Sequence, residues 1–335
     1  MSVNEILLAA GGALIMAFFS MVGGLWFAGI DRVLAARMQA RIGPPVRQPF
    51  LDIAKLMIKQ NVVPANAIPW LFNGAPVVAL ASAVTILLYI PMAGIPGLPI
   101  LQGHGDLVLI MYLLILPALA MVAGGLAAGS PYATIGAQRE MVTMIAYELP
   151  LAATIIAFAW KFASLGIEHP FSLATVAAQP VWTLVGPVGF MGLLLLLVTM
   201  LLVVPGELGR IPFDAPEAET EIAGGLLVEY SGRNLALFTL SLAVKTIVVT
   251  SLIVGLFFPW NLTDILAVAC CATTAAMINL AFFILKLLVV MFFSVTLVRI
   301  SVARFRINQV VDVYWKILGV LALLGMFLVM ADALF

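Results

Sequence analysis

The sequence is short of charge. Only 10% of its 335 residues are Asp, Glu, Lys or Arg while 64% are hydrophobic, whereas soluble chains carry about 25% charged and about half apolar residues. That shortage excludes a soluble enzyme. Cysteine is almost missing too: Cys270 and Cys271 are neighbours and cannot reach each other in ordinary disulfide geometry. With only His104 and His169 besides, the chain has too few ligands for an iron–sulfur cluster, a haem pair or a nickel–iron centre. Metal-based redox chemistry would have to sit on a partner. Sixteen basic and sixteen acidic residues cancel, so no net charge favours nucleic acid. The first residues, MSVNEILLAAGGALIMAFF, lack a basic flank and run into a long apolar stretch, which predicts a retained membrane helix rather than a cleaved signal.

Long hydrophobic runs are what the sequence has in plenty. They recur at 6–30, 71–95, 106–128, 140–163, 181–205, 235–259, 268–298 and 314–334, each near the ~20 residues that cross a bilayer as a helix. An all-α integral membrane protein with eight transmembrane helices in a single polytopic domain, 1–335, is therefore expected. The seventh run exceeds a bilayer's thickness and should tilt or begin as an interfacial segment. No internal repeat is visible.

Basic residues set the orientation. The odd-numbered loops, at 31–70, 129–140, 206–234 and 299–313, with Lys316 just beyond the last, hold thirteen of the sixteen Lys and Arg, which makes them cytoplasmic and places both termini outside. The opposite loops hold Lys161 alone. Within the first loop, RQPFLDIAKLMIKQ sets Phe50, Ile53, Ala54, Met57 and Ile58 at helical spacing against Asp52, Lys55 and Lys59. This predicts an amphipathic helix lying in the interface, with or without a partner.

Charge inside a span costs at least ~2.5–3.5 kcal/mol, so each ionisable residue at depth is a functional candidate. Glu148 lies eight residues beyond Glu140, ~12 Å deeper at the helical rise. Lys245 and Lys286 fall ~16–20 Å from the same cytoplasmic edge by the same rise. Three such groups at one level suggest protonation chemistry, because desolvated acids and amines titrate near neutrality. A buried ion pair that locks two helices is the plainer alternative. The fifth loop, RIPFDAPEAETEIAGGLLVEYSG, packs Asp214, Glu217, Glu219, Glu221 and Glu229 between Arg210 and Arg233. A helix after Pro216 would put Glu217 and Glu221 on one face, where they repel. Gly224 and Gly225 permit close approach or hinging. A solvated acidic loop is the alternative there.

Four long motifs carry a family likeness: DRVLAARMQARIGPPV with QPFLDIAKLMIKQ, GSPYATIGAQREMVTMIAYELPL, RIPFDAPEAETEIAGGLLVEYSG, and VRISVARFRINQVVDVYWK. In that order they resemble the membrane subunit shared by respiratory complex I and the energy-converting [NiFe] hydrogenases. The resemblance implies a subunit that anchors a peripheral electron-transfer arm and lines the entry of a proton path, with no redox cofactor of its own. It implies coupling roles for Glu140, Glu148, Asp214, Glu217, Glu219, Glu221 and Glu229, with Lys245 and Lys286 responding to them. Arg32, Arg37, Arg41, Arg47, Arg139, Arg210, Arg299, Arg304 and Arg306 would hold the arm, or serve as ordinary cytoplasmic anchors. No metal site is expected in this chain. The [NiFe] centre and iron–sulfur clusters would sit on partners: hydrogenase large and small subunits and an iron–sulfur subunit, beside an antiporter-like membrane subunit.

Departures point to the hydrogenase branch. The first loop is the compact GPPVRQPFLDIAKL, and the helix after EYSG has Leu242 and Lys245 where quinone enzymes tend to place a glutamate. In ARFRINQ, Ala303 and Asn308 replace a common PRxRxDQ pattern, which removes any role needing an acid at Asn308. The expected function is the anchor and proton-path subunit of an energy-converting hydrogenase in the cytoplasmic (inner) membrane. A quinone-site subunit of a complex I relative, a free-standing secondary transporter and a structural scaffold remain the alternatives.

Overall fold

A computed structural model describes residues 3–90, 105–266 and 271–332. Cys270, His104 and the span ends expected at 91–95, 268–270 and 333–334 lie outside the described residues. In chain order the helices are α1 (Val3–Met38), α2 (Gln48–Ile58), α3 (Pro69–Leu87), α4 (Leu107–Ala127), α5 (Pro131–Ser164), α6 (Leu173–Ala178) and α7 (Pro187–Glu207). There follow α8 (Glu219–Ile222), α9 (Gly232–Phe257), α10 (Leu262–Leu266), α11 (Ala272–Met291), α12 (Leu297–Ser301), α13 (Ile307–Asp312) and α14 (Gly319–Asp332). A π-helical segment, Phe292–Thr296, joins α11 to α12, and a second, Val313–Leu318, joins α13 to α14.

Eight helical runs among the described residues are long and apolar enough to cross a membrane: α1, α3, α4, α5, α7, α9, α11 with α12, and α13 with α14. No strand occurs among the described residues; the one isolated bridge pairs Asp106 with Ser172. Proline opens α2, α3, α5 and α7 in the first turn, where its missing N–H costs nothing and its fixed φ suits a helix. Pro76, Pro117, Pro150 and Pro205 lie inside spans; in a packed bundle neighbouring groups can satisfy the carbonyls they free.

Helix α9 is the axis. In its most apolar stretch 83% of residues are buried, against 33–61% in the other seven, and it packs on α1, α2, α3 and α11. Helix α2 docks Ile53 onto Ala236, Leu240 and Ala243 of α9 and Leu25 of α1, with Phe50 and Leu56 alongside. Ala54, Met57 and Ile58, expected on the same apolar face, are exposed instead. The inward face thus centres on Ile53, about a quarter-turn from the expected one.

Two boundaries change the charge map. Because Pro131 starts α5, Glu140 lies well inside that helix rather than in the loop expected at 129–140. Lys161, expected in an opposite loop, is also helical and buried, and pairs with Asp332 at 2.7 Å. Asp332 further accepts N–H bonds from Gly186 at 3.0 Å and Gly189 at 3.1 Å, so one carboxylate clips the ends of α5, α7 and α14.

The loop between α7 and α9 is pressed onto α5 where Gly136 has no side chain. A Cβ there would run into the backbone N of Leu226 and stand 2.9 Å from Pro216 O. Neither backbone group can swing aside as a side chain would. Gly136→Ala should therefore lower stability by about 1–3 kcal/mol, read as a fall in Tm of the purified complex; an unchanged Tm would show that the loop is not held this way.

Candidate functional site

The buried charges gather where α5, α7 and α9 meet the loop after α7. Lys245 Nζ of α9 lies 2.8 Å from Glu207 Oε1, the last residue of α7, and both side chains are 3% exposed. The angles fall short of hydrogen-bond geometry, so neither Glu207 oxygen receives a hydrogen bond among the described residues. A small cavity of about 10 Å³, close to the room one water needs, is lined by Glu140, Glu207, Asp214, Glu217 and Lys245. Glu140 interacts electrostatically with Lys245, Glu217 and Glu207, and Glu148, half-buried two turns along α5, with Glu207. Tyr147 sets its hydroxyl beside Glu207 without completing a well-formed hydrogen bond. A continuous row results: Asp214, Glu217, Glu140, Glu207, Glu148.

Aromatic packing walls this row on the α14 side. Tyr314 meets Tyr147 edge-on with ring centroids 6.2 Å apart, lies 4.7 Å from Phe213, and donates to Leu202 O at 3.2 Å. Low dielectric and like charges within reach prevent all five carboxylates from being ionised together.

Arginines grip the loop from outside. Arg304 holds Asp214 with two bonds, 2.9 and 2.5 Å, and Arg139 holds Glu221 at 2.5 Å. Arg299 pairs with buried Asp31 at 3.0 Å, which also accepts from Thr296 at 2.7 Å. Arg32 pairs with Asp52 at 2.9 Å. Arg210 interacts with Asp31 and Glu217 and feels the like charges of Arg299 and Arg32; burial pushes its pKa down. Burial also pushes the Glu217 carboxyl up to about 7, Arg210 opposing and Asp214 reinforcing the shift.

Several expectations are corrected. Glu217 and Glu221 do not share a helical face: Ala215–Glu217 is a 3₁₀ turn, Ala218 is extended, and α8 is a separate single turn. Glu217 therefore faces Arg210 and Glu221 faces Arg139. Lys286 is not level with Lys245: its ammonium donates to Phe258 O and Trp260 O, both at 2.8 Å, just past the end of α9. It caps carbonyls that the helix end leaves free. Glu219 is exposed and Glu229 half-buried, and neither joins the row. Arg37, Arg41, Arg47 and Arg306 are exposed, whereas Arg139, Arg299 and Arg304 are committed to carboxylates of this chain.

Sequence reasoning missed Glu207, Asp31, Asp332 and Tyr147. The signal for Glu207 was available, since Lys245 deep in a span demands an acid, and VVPGELGR ends the preceding span with one.

A profile of the family described as NADH dehydrogenase matches residues 11–330. The chain belongs to the NADH dehydrogenase subunit 1 family. Among relatives, this family member is 33% identical over 304 residues to hydrogenase-4 component C of Escherichia coli K12, covering 90% of each chain. It is 31% identical over 329 residues to a subunit of the NADH-quinone oxidoreductase of Bacillus cereus B4264, covering 95% of this chain and 92% of that one. A solved chain from the membrane-bound sulfane sulfur reductase, an archaeal respiratory membrane complex, superposes with a TM-score of 0.82 at 27% identity over 96% of this chain and 99% of that chain. The protein is thus a multi-pass membrane subunit of a complex I-like or energy-converting hydrogenase complex.

Two measurements probe the site. Lys245→Met strands the buried Glu207 charge and should cost about 3–5 kcal/mol, most of it recovered in Lys245→Met with Glu207→Leu; thermal unfolding of the purified complex checks this, and a harmless single substitution refutes the pairing. For Glu217, the folded carboxyl keeps its proton up to about 7 while the unfolded one releases it near 4.5. The folded state binds more protons in that window, so stability falls as pH rises through it. Glu217→Gln should flatten the slope of Tm against pH there.

Proposed function

We propose that this chain is the membrane anchor and proton-path subunit of an energy-converting [NiFe] hydrogenase complex in the cytoplasmic membrane. The buried carboxylate row carries the reading. Its Asp214 end is clamped by Arg304 on the segment between α12 and α13, so that a docked peripheral arm could move the clamp. Shifting the clamp changes the field at Glu217, and with it the proton occupancy of Glu140, Glu207 and Glu148 in turn. Lys245 supplies the fixed positive charge that lets one of them stay ionised in the interior. The exposed Arg37, Arg41, Arg47 and Arg306 form the arm's docking surface. The nickel–iron and iron–sulfur chemistry belongs to the arm's large, small and iron–sulfur subunits, and the exported proton passes to an antiporter-like membrane subunit.

The 33% identity to hydrogenase-4 component C supports the hydrogenase branch. The 31% identity to a subunit of an NADH-quinone oxidoreductase supports a second reading, a quinone-site subunit; quinone retained by the purified complex would favour it.

Glu140→Gln and Glu148→Gln should leave electron transfer to artificial dyes nearly intact while cutting proton translocation in vesicles by on the order of 10²-fold. Pumping at the parental ratio in both variants would sink the proposal.

A further inference from the structure

Three lysines lie within the spanning helices, and two of them have a carboxylate: Lys161 has Asp332 at 2.7 Å and Lys245 has Glu207 at 2.8 Å. Lys286 has none among the described side chains. Two of its three ammonium hydrogens go to Phe258 O and Trp260 O, and its charge lies 5.0 Å from the Phe282 ring centroid and 5.9 Å from that of Phe283. One donor remains.

Beside it runs a groove of about 240 Å³ lined by Phe258, Trp260, Phe282, Leu285, Lys286 and Val289. Phe282, Leu285, Lys286 and Val289 follow one another in steps of three, one and three, so they form a single face of α11, the ridge on which another helix packs. Leu285 is 54% and Val289 47% exposed. Lys286 precedes Arg299 by thirteen residues, ~20 Å along the helix, beyond the middle of a ~30 Å hydrocarbon core. A cation at that depth, held down by two backbone carbonyls, calls for a negative partner inside the membrane.

We propose that this face of α11 seats a transmembrane helix of a neighbouring subunit that carries an Asp or Glu level with Lys286. The charge complements the remaining ammonium donor, and the helical spacing of the face fits a helix better than a headgroup, which would have to sink into an otherwise apolar groove. The inference uses the chain's place in a membrane complex and not the proton path, so either can fail alone.

The test uses the intact complex from its own host, with the photoreactive residue p-benzoylphenylalanine introduced at Leu285. The expected result is an adduct with another membrane subunit, mapped to a span containing an Asp or Glu. Lys286→Gln keeps N–H donors for the two carbonyls but removes the charge, and should lower the adduct yield by about tenfold or more. Lys286→Glu should lose the adduct and regain it when the mapped acid is changed to Lys. Adducts with phospholipid only, a mapped span without a carboxylate, or an unchanged yield in Lys286→Gln would each overturn the proposal. So would an equal loss in Asp264→Asn, which would place the acid in this chain.

Discussion

A lysine ammonium facing a glutamate in a place almost free of water organises this molecule. Removing either charge from solvent is expensive, and their attraction offsets the cost only when the surroundings hold both in place. The Lys245–Glu207 pair therefore fixes the end of α7 against the middle of α9. The other ionisable groups of the site are arranged around that fixed point. Glu140 and Glu148 sit two turns apart on α5, both within the field of Glu207, and the α7–α9 loop brings Glu217 and Asp214 to the same cavity. The negative charges outnumber the nearby lysine, which leaves room for protons to be the balancing charge.

The loop owes its position to features at several levels of the chain. Ala223, Gly224 and Gly225 all have positive φ, at 52°, 93° and 49°, and this left-handed run folds the segment back on itself. A Cβ on Gly225 would collide with Pro216 O, so the close return is itself a consequence of glycine. Arg139 and Arg304 then tie the returning segment to α5 and to the stretch after α12. Polar groups that would be costly unpaired thereby satisfy one another at the edge of an apolar bundle.

Much of this was legible beforehand. Apolar run length located all eight spans, because a bilayer imposes a length that few soluble helices share. The motifs around Glu140 and the PFDAPEAETE segment identified the family and most of the row. What escaped was pairing. Sequence distance says nothing about which acid meets Lys245, and Glu207 was overlooked because it ends a span instead of standing within one. Depth was misjudged for Lys286 because counting residues along α11 cannot reveal that α9 stops beside it. Glu217 and Glu221 were placed on one face because a one-residue extended break at Ala218 carries no proline or glycine to announce it.

The clip made by Asp332 at the other end of the bundle bears on how such a site can move. It binds Lys161 of α5 and the first turn of α7 while belonging to α14, so the helices that carry Glu140, Glu148 and Glu207 are riveted together at their far ends. Sliding or splaying those three rods would break a buried charge pair. Rearrangement must then come from the pliant strip of chain that bears Asp214 and Glu217, working like a finger against a rigid keyboard.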